Sequence, residues 1–287
     1  MEISLGDIIQ NDAVKNILCY HNVSTDLFTG PNPSYHRHDG YEIYLFISGN
    51  TKMYIEQSCY QLASGDCVVI HPGQLHRSIV TDTNPYERIG INITEEALRT
   101  LSSATTDLLA CFHHCEENGI IHLSAYDMQR YIALTDEYLK LSRSSEYGCD
   151  LMGIYFLIEL ILFTNQLFGD PKRRRYDNVM PALVSNTMQY VEEHLAEDIS
   201  LVKLSHCLNY SSKYISVQFK RHTGLSLREY ILDQKIECAK RLLAAGSSVS
   251  EACLDSGFSD YSNFIRSFKK KTGVSPGRFR KGKISIQ

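Results

Sequence analysis

The last ninety residues of this chain repeat themselves, and that repeat limits what they can fold into. Phe219-Lys-Arg-His-Thr-Gly-Leu-Ser226 returns as Phe268-Lys-Lys-Lys-Thr-Gly-Val-Ser275, five of eight residues identical at an offset of 49. Upstream the offset is 48, pairing Ser200 with Ser248 and Tyr210 with Phe258, so the second copy carries one more residue in its turn. Each copy reads as helix, turn, helix: Leu201–Leu208 then Ser212–His222, and Val249–Asp255 then Tyr261–Lys271. Ser226-Leu-Arg-Glu229 and Ser248-Val-Ser-Glu251 have the spacing of capping boxes, in which serine and glutamate each satisfy an orphan amide. Ser275-Pro276 sets a cap before a proline at the first helical position. Asn209 and Gly257 stand in the two turns, where a left-handed backbone is tolerated by such residues.

Ile215–Phe219 and Phe264–Phe268 are apolar pairs at i, i+4, the spacing that pins a helix to a core. Between the copies, 227–244 predicts a connecting helix. Its eighteen residues at ~1.5 Å each span about 27 Å. With the flanking turns, the second helices of the two units come about one duplex turn apart, ~34 Å, so one chain could read two successive major grooves.

Charge divides the chain at the same place. Residues 1–180 hold 13 Lys and Arg against 23 Asp and Glu, whereas 181–287 hold 16 against 10. A total of −4 thus hides an acidic front and a basic back, and a polyanion is the expected partner of the back alone.

The segment from Ser200 to Lys281 resembles the AraC/XylS family of transcription regulators, including Gly257-Phe-Ser-Asp260 and the closing run from Phe268 through Ser275-Pro276 to Arg280. It departs from the family at Ala252-Cys253, where isoleucine and alanine are usual, and at Asn209, where glycine is common. The resemblance implies base contacts from Lys213, Ser216 and Val217 in the first unit and from Tyr261, Ser262, Asn263 and Arg266 in the second. Arg266 suits guanine in bidentate fashion and Asn263 suits adenine. Lys220, Lys269 and Lys270 suit phosphates, which set affinity without sequence information. Double-stranded DNA is the implied partner, with RNA polymerase a further candidate.

The front reads as β structure. Tyr41–Ile47, Thr51–Ile55 and Asp66–Ile70 are short, rich in β-branched and aromatic residues, and separated by Ser48-Gly-Asn50, Ser64-Gly-Asp66 and Pro72-Gly73. From Ser124 the period becomes helical. Tyr131, Leu134, Tyr138 and Leu141 share one face, and after a polar break Leu151, Ile154, Tyr155, Ile158 and Leu162 share another. These two helices predict an antiparallel hairpin whose second member, apolar nearly all round, needs a packed cover. A second copy of the chain is the expected cover, giving a homodimer. Gly169-Asp-Pro-Lys-Arg-Arg-Arg175 reads as an exposed linker.

His36-Arg-His38-Asp-Gly-Tyr-Glu42, followed by Gly49, resembles the first cupin motif. Gly65, Pro72-Gly73 and His76 resemble the second, with Val80 in place of its usual asparagine. The resemblance implies that His36, His38, Glu42 and His76 converge inside a small barrel. Two readings stay open there. The preferred one is a small polar effector, a sugar or related metabolite, bound by His36, His38, Tyr41, Glu42 and His76. The other is a divalent metal held by His36, His38, Glu42 and His76, whose extreme is a metal-dependent cupin enzyme fused to a DNA-binding domain. No catalytic residue is assigned and no cofactor is required. Cys111 and Cys115 would share a helix face, but two thiols make no structural metal site.

The expected fold class is therefore an α+β multidomain chain: a cupin-like β-barrel over 1–122, a dimerising helical hairpin over 123–168, a linker over 169–180, and an all-α DNA-binding domain with two helix-turn-helix units over 181–287. Nine scattered cysteines suit a reducing compartment. The first ten residues lack a basic start followed by an apolar run, and Leu151–Phe163 is too short to cross a bilayer. A cytoplasmic protein without a membrane partner is expected.

Overall fold

A computed structural model describes residues 17–24, 35–81, 85–113, 119–174, 178–197 and 199–281. They fall into two compact units that part at Val179, with the short segments 35–37 and 56–59 grouped with the second.

Among the described residues the first unit holds eight strands, save the first two residues of β4: β1 Leu18–Ser24, β2 Tyr41–Ser48, β3 Thr51–Ile55, β4 Ser58–Gln61, β5 Asp66–Ile70, β6 His76–Val80, β7 Tyr86–Ile93 and β8 Ile120–His122. They form a five-stranded sheet, β1-β7-β2-β5-β8, and a three-stranded sheet, β4-β3-β6. The closed barrel expected from the sequence is therefore two open sheets. No ladder among the described residues joins one sheet to the other.

Alternation along the strands explains how both faces of the larger sheet are used. Ile43, Leu45 and Ile47 of β2, Val69 of β5 and Ile89, Ile91 and Ile93 of β7 point to one side, into a core shared with helices. Tyr44 and Phe46, Val68 and Ile70, and Tyr86 point to the other, against Met53, Ile55 and Val80 of the smaller sheet. This second side is the interior between the sheets.

The helices of the unit are α1 Glu95–Leu101, α2 Ala110–His113, α3 Ala125–Ser142 and α4 Cys149–Phe168. The hairpin of α3 and α4 is as the periodicity predicts, but α4 is turned differently. Leu157, Leu160, Ile161, Phe163, Leu167 and Phe168 are buried, whereas Leu151, Met152 and Tyr155 are exposed. A helix that is apolar all round carries no phase information, so the sequence could not choose its inner face. At 20 residues α4 is also long and apolar enough to cross a membrane, contrary to the shorter estimate from sequence. Its Leu157–Phe168 half instead lines the core of the front unit.

His21 on β1 ties the sheet to α3. Its Nδ1 lies 2.8 Å from Asp136 and its Nε2 2.9 Å from Glu87. Burial disfavours its charge, yet the bonds to the two carboxylates outweigh this and raise its pKa.

The basic run at 172–175 is not a free linker over its described part. Pro171–Arg173 forms a 3₁₀ turn, Arg173 Nη1 bonds Asp127 Oδ2 at 2.7 Å, and Arg174 bridges to Ile121. Arg175 lies outside the described residues.

The second unit is helical: α5 Ala182–Glu193, α6 Leu201–Leu208, α7 Ser212–Thr223, α8 Leu227–Ala244, α9 Val249–Asp255, α10 Tyr261–Thr272 and α11 Pro276–Lys281. Both capping boxes are formed, on α8 by Ser226 and Glu229 and on α9 by Ser248 and Glu251. Asn209 has φ 56° and Gly257 φ +81°. Gly257 is required on space as well, since a Cβ there would lie 2.1 Å from the Leu195 carbonyl oxygen. Helix α5, which the sequence reading did not assign, buries Val184, Met188 and Val191 at helical spacing.

Candidate nucleic-acid interface and interior polar site

Helices α7 and α10 are the second helices of the two repeats. Each starts at a side-chain cap, Ser211 accepting from the Tyr214 amide and Asp260 from the Asn263 amide. Each ends at a left-handed glycine, Gly224 and Gly273. On α10 Phe264 and Phe268 are fully buried, with ring centroids 5.7 Å apart. At 100° per residue, the side opposite these rings carries Ser262, Asn263, Arg266, Lys269 and Lys270, with Arg266 at its centre. All five are exposed, as is Tyr261 in the first turn. Lys269, Lys270 and Lys271 occupy the last turn, where they also complement the helix dipole.

Helix α7 repeats this layout. Ile215 and Phe219 are fully buried, and Lys213, Val217 and Lys220 are exposed on the opposite side. Ser216 differs: it is half-buried and its Oγ donates to the Ser212 carbonyl at 2.8 Å. The offset of 49 explains this, because Ser216 matches the half-buried Ile265 of α10. The same offset exposes two residues that sequence reasoning missed. Tyr214 matches Asn263 and Arg221 matches Lys270, and both are exposed. Tyr214 also stacks on Tyr210 at 5.6 Å. The two helices thus present matched faces rich in cations and donors, suited to phosphates and base edges.

In the first unit, β2, the chain leading into it and β6 bring together Glu42, His38 and His76. One ligand atom from each lies within 4.8 Å of the others. His38 Nε2 is 3.0 Å and His76 Nε2 3.1 Å from the same Glu42 oxygen, Oε2. Each ring turns its Nδ1 to a backbone carbonyl, that of Gly40 for His38 at 2.8 Å and of Gln74 for His76 at 2.9 Å. Since a carbonyl only accepts, Nδ1 carries the proton in both rings. A neutral ring then faces the carboxylate with a lone pair. The arrangement calls either for positive charge on imidazole or for a cation at the centre, and carbonyl-anchored histidines are the usual support of a metal site. Two imidazoles and a carboxylate therefore fit a divalent ion. Burial opposes the charge on Glu42, but the two histidines hold its pKa far below the carboxylate range. Burial likewise opposes charge on His38, and the bond to Glu42 overcomes it and raises that pKa.

Two residues named from the sequence are not in this group. His36 is exposed and contributes no ligand atom to it. Tyr41 is buried on the helix side of β2, its ring 4.3 Å from that of Phe112, because residues 41 and 42 of one strand point to opposite faces. Cys111 is buried in the same core, and Cys115 lies outside the described residues.

Comparison with known proteins follows this division. Residues 26–143 match the model of an AraC-like ligand binding domain, and residues 204–282 match that of a helix-turn-helix domain. An HTH-type transcriptional regulator of Staphylococcus aureus is 24% identical over 258 residues, covering 88% of this chain. The chain spans about a third of that relative's length, 33%. The probable transcriptional regulator LumQ of Photobacterium leiognathi is 26% identical, with 86% of this chain and 92% of LumQ covered. Among solved structures, the C-terminal domain of the two-component response regulator yesN of Fusobacterium nucleatum matches with 32% identity and a TM-score of 0.32, covering 33% of this chain and 94% of that one. With its ligand-binding and helix-turn-helix domains in this order, the chain belongs to the AraC/XylS family of transcription regulators.

Proposed function

We propose that this protein is a cytoplasmic transcription regulator that binds double-stranded DNA through α7 and α10 and responds to a small polar effector held between the two sheets. The observation that carries the DNA half is the matched pair of exposed cationic faces on the second helices of the two repeats. Binding to duplex DNA should weaken steeply with salt, because each neutralised phosphate releases counterions. Replacing Lys269 and Lys270 together with glutamine should reduce the slope of log affinity against log salt by about two. A slope that the double substitution leaves unchanged would remove the phosphate role of these lysines.

The effector half rests on Glu42, His38 and His76, polar groups gathered at the interior between the sheets. A second reading is favoured by one observation, the carbonyl-anchored pair of imidazoles around Glu42. In that reading a divalent ion occupies the group and orients the effector. Elemental analysis of purified protein should then find one ion per chain, lost in the Glu42→Gln variant. Less than a tenth of an equivalent in wild type would leave the metal-free effector site standing alone.

The chain is proposed to act as a homodimer through the exposed apolar face of α4, formed by Leu151, Met152 and Tyr155. A charge there faces solvent in the monomer but is buried without a partner in the dimer. Tyr155→Asp should therefore convert dimers to folded monomers in sedimentation. Wild-type protein that sediments as a monomer at micromolar concentration would refute the proposal. RNA polymerase is a further proposed partner.

A further inference from the structure

The interior face of the larger sheet carries a cation. Arg88 on β7 lies in register with Phe46 of β2 and Asn22 of β1, on the side of Tyr44 and Tyr86. Its guanidinium stands 4.7 Å from the Tyr86 ring centroid and 5.7 Å from that of Tyr20. Tyr86 and Tyr44 are hydrogen-bonded through their hydroxyls. Tyr20 lies across Gly90, where a Cβ would come within 2.3 Å of the phenol, so glycine is what admits the ring. Among the described residues Arg88 meets phenols and makes no ion pair.

Further along the same face stands Glu42, met by His38 from the chain leading into β2 and by His76 from β6 of the smaller sheet. Arg88 pairs with Phe46, and Glu42 lies four residues along β2, about 13 Å away at backbone level. Tyr20, opposite Gly90, falls between them. The face thus runs from a cation, across phenol rings, to a carboxylate flanked by imidazoles.

Resting on the reading of the front unit as an effector-binding domain, we propose that the effector is a hydroxylated monocarboxylate of sugar-acid size, its carboxylate paired with Arg88 and its hydroxyls directed toward Glu42 and the two histidines. Each part of the face limits the ligand. A planar guanidinium between two aromatic rings matches a carboxylate in bidentate fashion. Phenol faces and hydroxyls suit a body that is partly apolar and partly hydroxylated. Glu42 repels a second acid group and accepts from hydroxyls, which disfavours a phosphate dianion.

The test is calorimetric titration of the full chain with matched pairs that differ in the acid group: glucuronate against glucose, galacturonate against galactose, and gluconate against sorbitol, with glucose 6-phosphate as the phosphate arm. At least one carboxylate should bind, at least tenfold more tightly than its neutral analogue. Arg88→Gln should remove about tenfold or more of that affinity, and Arg88→Lys should keep the preference for the acid at reduced strength. Should Arg88→Gln not fold, the Lys variant decides, since loss of affinity without loss of charge reports the bidentate pairing. Equal binding of acid and neutral partner, tighter binding of the phosphate, no binding by any carboxylate, or full affinity in both variants each overturns the assignment. A neutral sugar that binds and shifts DNA affinity would overturn the acid while leaving the effector reading intact. A carboxylate that binds through Arg88 without changing DNA affinity would do the reverse.

Discussion

Phe268→Ala is expected to unfold the second unit's distal half and abolish DNA binding at 37 °C. Phe268 is fully buried in a cluster with Ile236, Leu243, Cys253, Phe258 and Phe264, and its ring also meets that of Phe279 at 5.5 Å. Truncating a buried phenylalanine to alanine costs about 3–5 kcal/mol, through lost transfer energy and the cavity left behind. A domain of this size holds only about 5–15 kcal/mol in all. The cost therefore consumes much of the margin that keeps α10 docked. In denaturant, the transition of the second unit should move to lower concentration while that of the first unit stays in place. Phe219→Ala, at the matching position of the first repeat, should behave alike, since Phe219 is as fully buried. A loss below about 1 kcal/mol at either position would mean that the cluster does not anchor its helix.

The back of the chain was legible because two independent signals agreed there. Repetition fixed which residues are equivalent, and caps fixed where helices begin, so the bounds of α6, α8 and α9 are as read from Leu201–Leu208, 227–244 and Val249–Asp255. Helix α5 went unread because it lies outside the repeat and its proline start offers no side-chain cap. The front was harder. Strands β2, β3 and β5 announced themselves by composition, but β1, β6 and β7 contain His21, Arg77 and Arg88 and so lack a clean apolar alternation. Arg88 was missed for the same reason. Its role depends on its face of β7, which only the register with β2 reveals. The His38, Glu42 and His76 group was legible from the cupin-like spacing, whereas Tyr41 was assigned to the wrong face of its strand.

Position also explains why the specificity of this protein should hang on few residues. The cationic turn of α10 can attract any duplex, so the lysines proposed to meet phosphates there should set affinity across all sequences. Reading a base needs a donor set with fixed geometry held away from the helix core. On α10 the residue proposed for this is Arg266, exposed opposite Phe264 and Phe268. On α7 the equivalent residue is Val217, which is 53% exposed and can offer only apolar contact, as to a thymine methyl. The two helices should therefore contribute unequally, the second carrying the stronger hydrogen-bond readout.

The most direct measurement uses the full chain and a duplex selected by the wild-type protein from random sequence. Affinities of wild type and Arg266→Ala are compared on that duplex and on random duplex, at one salt concentration. The variant should lose about 1–3 kcal/mol on the selected duplex, relax its preference at one base pair, and change little on random DNA. Equal weakening on both duplexes would contradict base reading by α10, and with it the account of how this protein chooses its sites.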